Sequence, residues 1–127
     1  MHAVSPPPDG GYPGGNTAEG QNALLNLTTG IYNTAVGLFS LSSNTTGKFN
    51  TATGAGTLLV NTADNNTATG AGAVLSNTTG DRDTANGTFA LFNNTTEDSN
   101  TCSGLSSALS EYSRSPQHSQ WLRDAHF

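Results

Sequence analysis

The residues able to do covalent chemistry in this chain are few and lie far apart. Three histidines are candidate general bases, but His2, His118 and His126 all fall near the two ends of the sequence. A single cysteine, Cys102, excludes an internal disulfide framework and a metal site built from several cysteines. Catalysis needs a nucleophile, a base and an orienting group brought together. The sequence therefore predicts that the protein is not an enzyme and has no catalytic, cofactor-binding or metal site.

Carboxylates and two Gly-Ala-Gly phrases are the other groups with ligand chemistry. Carboxylates and turn carbonyls can bind Ca²⁺, and the candidate carboxylates are Asp64, Asp81, Asp83, Glu97 and Asp98. These residues do not recur at one position of the repeat described below, which favours solvated turns. The phrases at Gly54–Gly56 and Gly70–Gly72 lack the further residues that complete a phosphate-binding loop.

Composition excludes several kinds of partner. The 127 residues carry a net charge of −5, and the four basic residues are scattered, so no electrostatic footprint for nucleic acid is present. No stretch approaches the roughly 20 apolar residues of a membrane helix. The first residues, MHAVSPPPDGG, also lack the basic and apolar regions of a signal peptide.

An internal repeat organises most of the chain. The phrase Asn-Thr-Ala-x-Gly, or a close variant, recurs with a period of 17 residues, once 16. An apolar residue follows each closing glycine four positions later, and a second phrase, Asn-Thr-Thr-Gly or a variant, ends most units. Such regularity is the signature of a repeat architecture, in which each unit buries its apolar side chains only by stacking on its neighbours.

The length and composition of the unit predict a β-solenoid. Gly, Asn and Thr are poor helix formers, and helical hairpin repeats need more residues than this. Thr-, Val- and Leu-rich segments between turn signals instead predict two short strands per unit, one over Asn-Thr-Ala-x-Gly and one over the leucine half. The expected fold is all-β, a solenoid of about six coils.

Fixed positions of the repeat receive structural roles. Glycine alone reaches positive φ without steric cost, so the closing glycines are predicted corners: Gly20, Gly37, Gly54, Gly70, Gly87 and Gly104. The predicted core, together with the alanine column, is Leu24, Leu41, Leu58, Leu59, Val74, Leu75, Leu91 and Leu109. Stacking also predicts two asparagine ladders, one of Asn16, Asn33, Asn50, Asn66 and Asn100 and one of Asn44, Asn61, Asn77 and Asn94.

The regions flanking the array differ from it. Residues 1–15 are rich in Pro and Gly and predict an extended arm. The array spans residues 16–110, and residues 111–127 leave the repeat abruptly. This last segment is either a cap on the final coil or disordered.

The phrases NTAVG, NTATG and NTTG, at this spacing over roughly residues 16–110, resemble the head repeats of trimeric autotransporter adhesins and similar repeats in phage tail fibres. The alanine and glycine of the adhesin phrase correspond to Ala35 and Gly37, Ala52 and Gly54, and Ala68 and Gly70. The resemblance implies a left-handed β-roll, commonly trimeric, that serves attachment at a surface.

The leading functional hypothesis is a structural module of an extracellular or cell-surface fibre or adhesin. It acts by shape, rigidity and exposed polar ladders, and it associates with itself as a trimer or a head-to-tail filament. A surface receptor or glycan is a further expected partner, and seven N-glycosylation sequons lie in the array.

The alternative function starts from Thr51 with Thr53 and Thr67 with Thr69. These pairs would form ranks about 4.8 Å apart, and such ranks resemble those of ice-binding solenoids. Val36, Asn86 and Ser103 interrupt the second rank.

Overall fold

A computed structural model describes residues 12–105 of the chain. Within this range six strands form one parallel sheet in chain order. They are β1 Thr17–Glu19, β2 Thr34–Val36, β3 Thr51–Thr53, β4 Thr67–Thr69, β5 Thr84–Asn86 and β6 Thr101–Ser103. Equivalent residues of successive repeats are direct partners in the sheet, as Ala35 and Ala52 show. The chain is therefore an all-β solenoid, with five complete coils and the opening strand of a sixth in the described range.

Each coil has one strand, not the two that the sequence predicts. The leucine half is a turn, because its buried aliphatic residue has positive φ, for example 51° at Leu41 and 52° at Leu58. A strand cannot continue through this left-handed conformation. The turns still stack, since the Leu41 N–H donates to the Thr57 carbonyl of the next coil at 3.0 Å.

The corner glycines lie directly after the strands, as predicted. Gly37 has φ of 127°, and a Cβ added there would lie 2.6 Å from the carbonyl oxygen of Gly54. Gly70 has φ of 120°, and its added Cβ would lie 2.6 Å from the carbonyl carbon of Gly87. Backbone of the next coil therefore fills the space that any side chain would need.

The core is a column of small residues facing a column of aliphatic residues. Each strand points its middle residue inward, and these buried residues are Ala18, Ala35, Ala52, Ala68, Ala85 and Cys102. The buried aliphatic residues are Leu24, Leu41, Leu58, Val74 and Leu91.

The prediction that Leu59 and Leu75 lie in the core is wrong, since both are only half-buried. The interior of a coil is narrow and already holds an alanine, one aliphatic side chain and the asparagines, so a second leucine stays at the surface. Leu109 lies outside the described residues.

The 16-residue coil keeps the sheet in register. Thr51 still pairs with Thr67, so the missing residue is absorbed away from the strands, between Asn61 and Asn66. There the carbonyl of Ala63 accepts from Asn50 Nδ2 at 2.8 Å. In other coils a glycine carbonyl has this role.

The N-terminal flank of the array is a turn where the structure describes it. Tyr12 and Asn16 form an antiparallel bridge, with N–H to carbonyl distances of 2.9 and 3.3 Å. Residues 12–15 therefore fold back on the first coil and do not extend away from it. The rest of the predicted arm, the end of the array and the segment 111–127 lie outside the described residues.

Candidate binding face

The outer side of the sheet presents two ranks of side chains, because alternate residues of a strand point to opposite sides. The first positions of the strands are all threonine: Thr17, Thr34, Thr51, Thr67, Thr84 and Thr101. The third positions are Glu19, Val36, Thr53, Thr69, Asn86 and Ser103. We call these two ranks the threonine face. All of its residues are exposed except Thr34 and Glu19, which are half-buried.

Four threonines elsewhere, Thr28, Thr57, Thr62 and Thr78, use their hydroxyl groups to bind the next coil. The hydroxyls of Thr28 and Thr62 donate to carbonyls one coil further on, both at 3.0 Å. Buried Thr57 donates to the carbonyl of Gly70 at 2.7 Å. Within residues 12–105, the hydroxyls of the first rank and of Thr53 and Thr69 make no such bond. The threonine face therefore keeps these hydroxyl groups available to solvent or a ligand.

Charged side chains lie mainly away from this face. Asp64, Asp81 and Asp98 form a column in which each carboxylate accepts a backbone N–H of the preceding coil at 2.9 to 3.0 Å. These aspartates do recur at one position, 17 residues apart, contrary to the sequence prediction. Arg82 lies beside them, 3.6 Å from Asp98 and 3.9 Å from Asp81.

The carboxylates of this column cap backbone groups, so they are not arranged around a shared ion. The part of the chain that the structure describes contains no group of three or more His, Cys, Asp or Glu placed to hold a metal ion.

The first asparagine ladder is fully buried. The side-chain oxygen of Asn16 accepts the Asn33 N–H at 2.8 Å, and that of Asn33 accepts the Asn50 N–H at 3.0 Å. The side-chain amides also donate to carbonyls within the coil, for example from Asn33 to Gly47 at 2.8 Å. The ladder is therefore present as predicted, but it is internal, and the expectation of exposed polar ladders is wrong for both asparagine columns.

The second ladder is buried too and is interrupted once. Asn77 donates to Asn61 at 2.7 Å, and Asn94 donates to Asn77 at 3.3 Å. Asn61 instead donates to the carbonyl of Ala63, in its own short coil, at 3.1 Å. The side-chain oxygen of Asn44 is consequently left buried without a hydrogen-bond partner.

Asp83 takes an asparagine position in the first ladder. It is buried, and its carboxylate accepts the Asn100 N–H at 2.9 Å and the Asn94 amide at 2.9 Å. Desolvation raises the pKa of Asp83 to about 6, because burial disfavours the charged form more than these hydrogen bonds favour it. The repeat alignment places Asp83 in the asparagine column but does not reveal that it is buried.

Exposed apolar side chains form a second surface feature, which the sequence pattern did not reveal. Leu38 and Phe39 are adjacent in the chain and are 44% and 41% exposed. The rings of Tyr32 and Phe49 stack with their centroids 5.4 Å apart, and both are more than half exposed. Phe89 of the fifth coil has the position of Phe39, and Tyr32 and Phe49 share one position in the first two coils. The remaining coils carry small, polar or charged residues at these positions, so the array is not uniform along its length.

The first coil also borders a cavity of about 460 Å³. The turn residues Tyr12 and Pro13 line it together with Ala18, Leu24 and Leu27. It is the end of the coil interior, which explains why Leu24 is slightly accessible whereas Leu41 and Leu58 are not.

Burial divides the glycosylation sequons into two groups. Asn44, Asn77 and Asn94 are fully buried in the second ladder, so a glycan on any of them is incompatible with the folded coil. The exposed sequon asparagines are Asn26, Asn65, Asn86 and Asn93.

Comparison of the chain with protein-family models, with curated proteins and with solved structures returns no match. Among the described residues, no helix is long and apolar enough to span a membrane.

Proposed function

We propose that the chain is a non-enzymatic structural protein, a β-solenoid module of an extracellular fibre or adhesin that associates with copies of itself. The observation that carries this proposal is the continuous pairing between coils. From Asn16 to Asn100, each coil bonds to the next through strand backbone, stacked turns and the buried first ladder. Such stacking makes a stiff unit whose outer surface repeats along one axis.

The extracellular setting rests on the sequence resemblance to adhesin head and tail-fibre repeats. Low charge and the scarcity of reactive side chains agree with a structural role. A surface receptor or glycan remains the expected partner for attachment.

Self-association is proposed to be side by side, through the corner that Val36, Leu38 and Phe39 form in the second coil. These three apolar side chains are each about 40% exposed, between 39% and 44%. Contiguous exposed apolar residues are typical of interaction sites. At the N-terminal end, by contrast, the bridge between Tyr12 and Asn16 occupies backbone groups that a head-to-tail joint would use.

Two other coils of the chain show which residues can replace Leu38 and Phe39. The third and fourth coils carry Ala55 and Gly56, and Ala71 and Gly72, at the positions of Leu38 and Phe39. Gly56 and Gly72 also have positive φ, as Phe39 does. The double substitution Leu38→Ala with Phe39→Gly therefore removes the apolar corner in a form that the fold already accepts.

Sedimentation velocity over a concentration series measures the outcome. We expect the parent chain to associate and the double variant to remain monomeric, with unchanged circular dichroism. Leu25→Ala, which alters an exposed leucine of the first coil, is the control and should leave association unchanged. A parent chain that stays monomeric at high concentration would contradict the proposal, and a double variant that still associates would remove this corner from the interface.

A further inference from the structure

The threonine face has a regularity that a structural module does not require. Its first rank is threonine in all six strands of the described range, including those on either side of the 16-residue coil. Strands of a sheet lie about 4.8 Å apart, and alternate residues of one strand lie about 6.6 Å apart. The first rank is therefore a row of hydroxyl and methyl groups at fixed spacing, and at β3 and β4 the second rank, through Thr53 and Thr69, extends it in the other direction.

The array is also rigid. Threonine is branched at Cβ and has restricted χ1 rotamers, and the small buried residue between the two ranks fixes the backbone against the core. Ordering these side chains on a ligand costs little further conformational entropy, because they are short and already constrained.

The free hydroxyl groups favour a hydrogen-bonding ligand. Thr28 and Thr62 show that the fold can satisfy threonine hydroxyls internally when they lie next to the following coil. Thr51 and Thr67 are instead exposed, and their hydroxyl groups make no hydrogen bond within residues 12–105. A ligand for this face must therefore accept or donate hydrogen bonds at each coil and also cover methyl groups.

The face carries little charge. Glu19 is the one charged side chain among the strand residues of the described range. The aspartates of the column and Arg82 lie outside the strands. A neutral and periodic surface selects a neutral and periodic ligand, and it disfavours a charged polymer or a receptor held by ion pairs.

We propose that the threonine face binds ice. Ordered water in an ice lattice is neutral, offers hydrogen bonds in rows and repeats at spacings close to those of the stacked coils. The face would hold water molecules over its methyl and hydroxyl groups in positions that a growing crystal plane can incorporate. Binding should be centred on β3 and β4, where Thr53 and Thr69 complete the second rank, and weakest at β1, where Glu19 interrupts it.

The test uses the full chain, ice crystals in a nanolitre osmometer, and two variants of one coil. Thr67→Tyr places a large side chain on the threonine face, and Thr79→Tyr places the same side chain on an exposed threonine elsewhere in the fourth coil. Neither hydroxyl bonds within the described residues, so both variants should keep the circular dichroism and melting temperature of the parent.

We expect the parent chain to shape ice crystals and to produce a freezing gap. Thr67→Tyr should reduce that gap severalfold, and Thr79→Tyr should leave it unchanged. Glu19→Thr extends the second rank and should enlarge the gap.

The inference would be overturned if the parent chain had no effect on ice, or if both tyrosine variants lost the freezing gap equally. It would also be overturned if the chain cosedimented with crystalline cellulose or chitin and only Thr67→Tyr abolished that binding. The inference is independent of self-association through Leu38 and Phe39. The variant that removes that corner should therefore retain any activity toward ice.

Discussion

Asn50 and Thr51 are neighbours in the chain and recur with the same period, yet one side chain lies inside the solenoid and the other lies on its outer surface. Asn50 is fully buried, accepts the Asn66 N–H at 2.9 Å and donates to the carbonyl of Ala63 at 2.8 Å. The Thr51 side chain is exposed, and its hydroxyl makes no bond within residues 12–105. The repeat therefore has two roles in this molecule. Its asparagines satisfy buried backbone groups in the interior, and its threonines form a periodic outer surface.

The difference teaches that a polar column is not by itself a binding surface. The asparagine columns are the most regular polar feature of the sequence. Their side chains, however, make hydrogen bonds to buried backbone groups that water cannot reach. The threonine rank has the same regularity and is available to a ligand. Substitutions on the two sides should accordingly have very different consequences.

The largest effect is expected at a corner. Gly70→Val places a β-branched residue at φ of 120° and drives its Cβ into the backbone of Gly87. We expect a loss of more than about 4 kcal/mol in the free energy of unfolding, which marks an exceptional substitution. The adjacent Thr69→Val, on the threonine face, should change stability by no more than about 0.5 kcal/mol. Chemical denaturation of both variants measures the contrast, and a Gly70→Val protein as stable as its neighbour would exclude the close contact between coils.

The next effect compares the buried ladder with the exposed rank. Asn50→Ala leaves the buried Asn66 N–H without a partner, while the Ala63 carbonyl keeps Asn61 and the Asn33 side-chain oxygen keeps the backbone N–H of residue 50. The unsatisfied group costs about 1–3 kcal/mol and each of the two other lost hydrogen bonds about 1 kcal/mol, so the variant should lose several kcal/mol. Thr51→Ala should be nearly neutral. Equal losses in urea unfolding of the two variants would mean that Asn50 is not inside the solenoid.

The third comparison lies within the leucine half of the coil. Leu58 is fully buried and Leu75 is half-buried. Leu58→Ala should cost about 2–5 kcal/mol, the usual range for a fully buried leucine. Leu75→Ala should cost clearly less in the same measurement. A larger loss at Leu75 would restore it to the core and would contradict the arrangement described above.

The smallest effect depends on pH and concerns the one aspartate in the first ladder. Its folded pKa of about 6 exceeds the ordinary value of 3.8, so the folded state binds the proton more tightly. Stability is therefore greatest when Asp83 is protonated and falls as the pH rises from about 4 through about 6. At about 1.4 kcal/mol per pKa unit, the loss at neutral pH is at most about 3 kcal/mol.

Asp83→Asn removes this titration and restores the ladder residue of the other coils. We expect the variant to exceed the parent in stability at pH 7 and to approach it near pH 4, as thermal melts at both pH values would show. Both proteins keep Asp98 and Glu97, so the comparison changes the Asp83 side chain alone. A difference that does not change with pH would show that Asp83 does not bind a proton in this range.

The period of the repeat predicts which residues align in successive coils. The repeat aligned the corner glycines, the alanine column, one aliphatic position and both asparagine columns, and each of these aligns in the structure. Periodicity does not show which side of the backbone a column occupies, so it predicts neither the burial of Asn50 nor the exposure of Thr51. The same reason explains the errors at Leu59 and Leu75, which follow the buried residue by one position.

Two further features could not be read from the repeat. The left-handed backbone at Leu41 and Leu58 is unusual for a branched aliphatic residue, because it costs roughly 1–2 kcal/mol, and it is maintained here by burial and stacking. Asp64, Asp81 and Asp98 follow the 17-residue period, but the period does not show that each carboxylate accepts a backbone N–H of the preceding coil.

The contrast between a buried ladder and an exposed rank can be tested without any substitution. Hydrogen exchange measured by NMR on the side-chain amides of asparagine reports which of them water can reach. We expect slow exchange for Asn33, Asn50 and Asn66 and fast exchange for the exposed Asn86 and Asn93. Equally fast exchange at all five amides would contradict a buried ladder and, with it, the division between a structural interior and a threonine face.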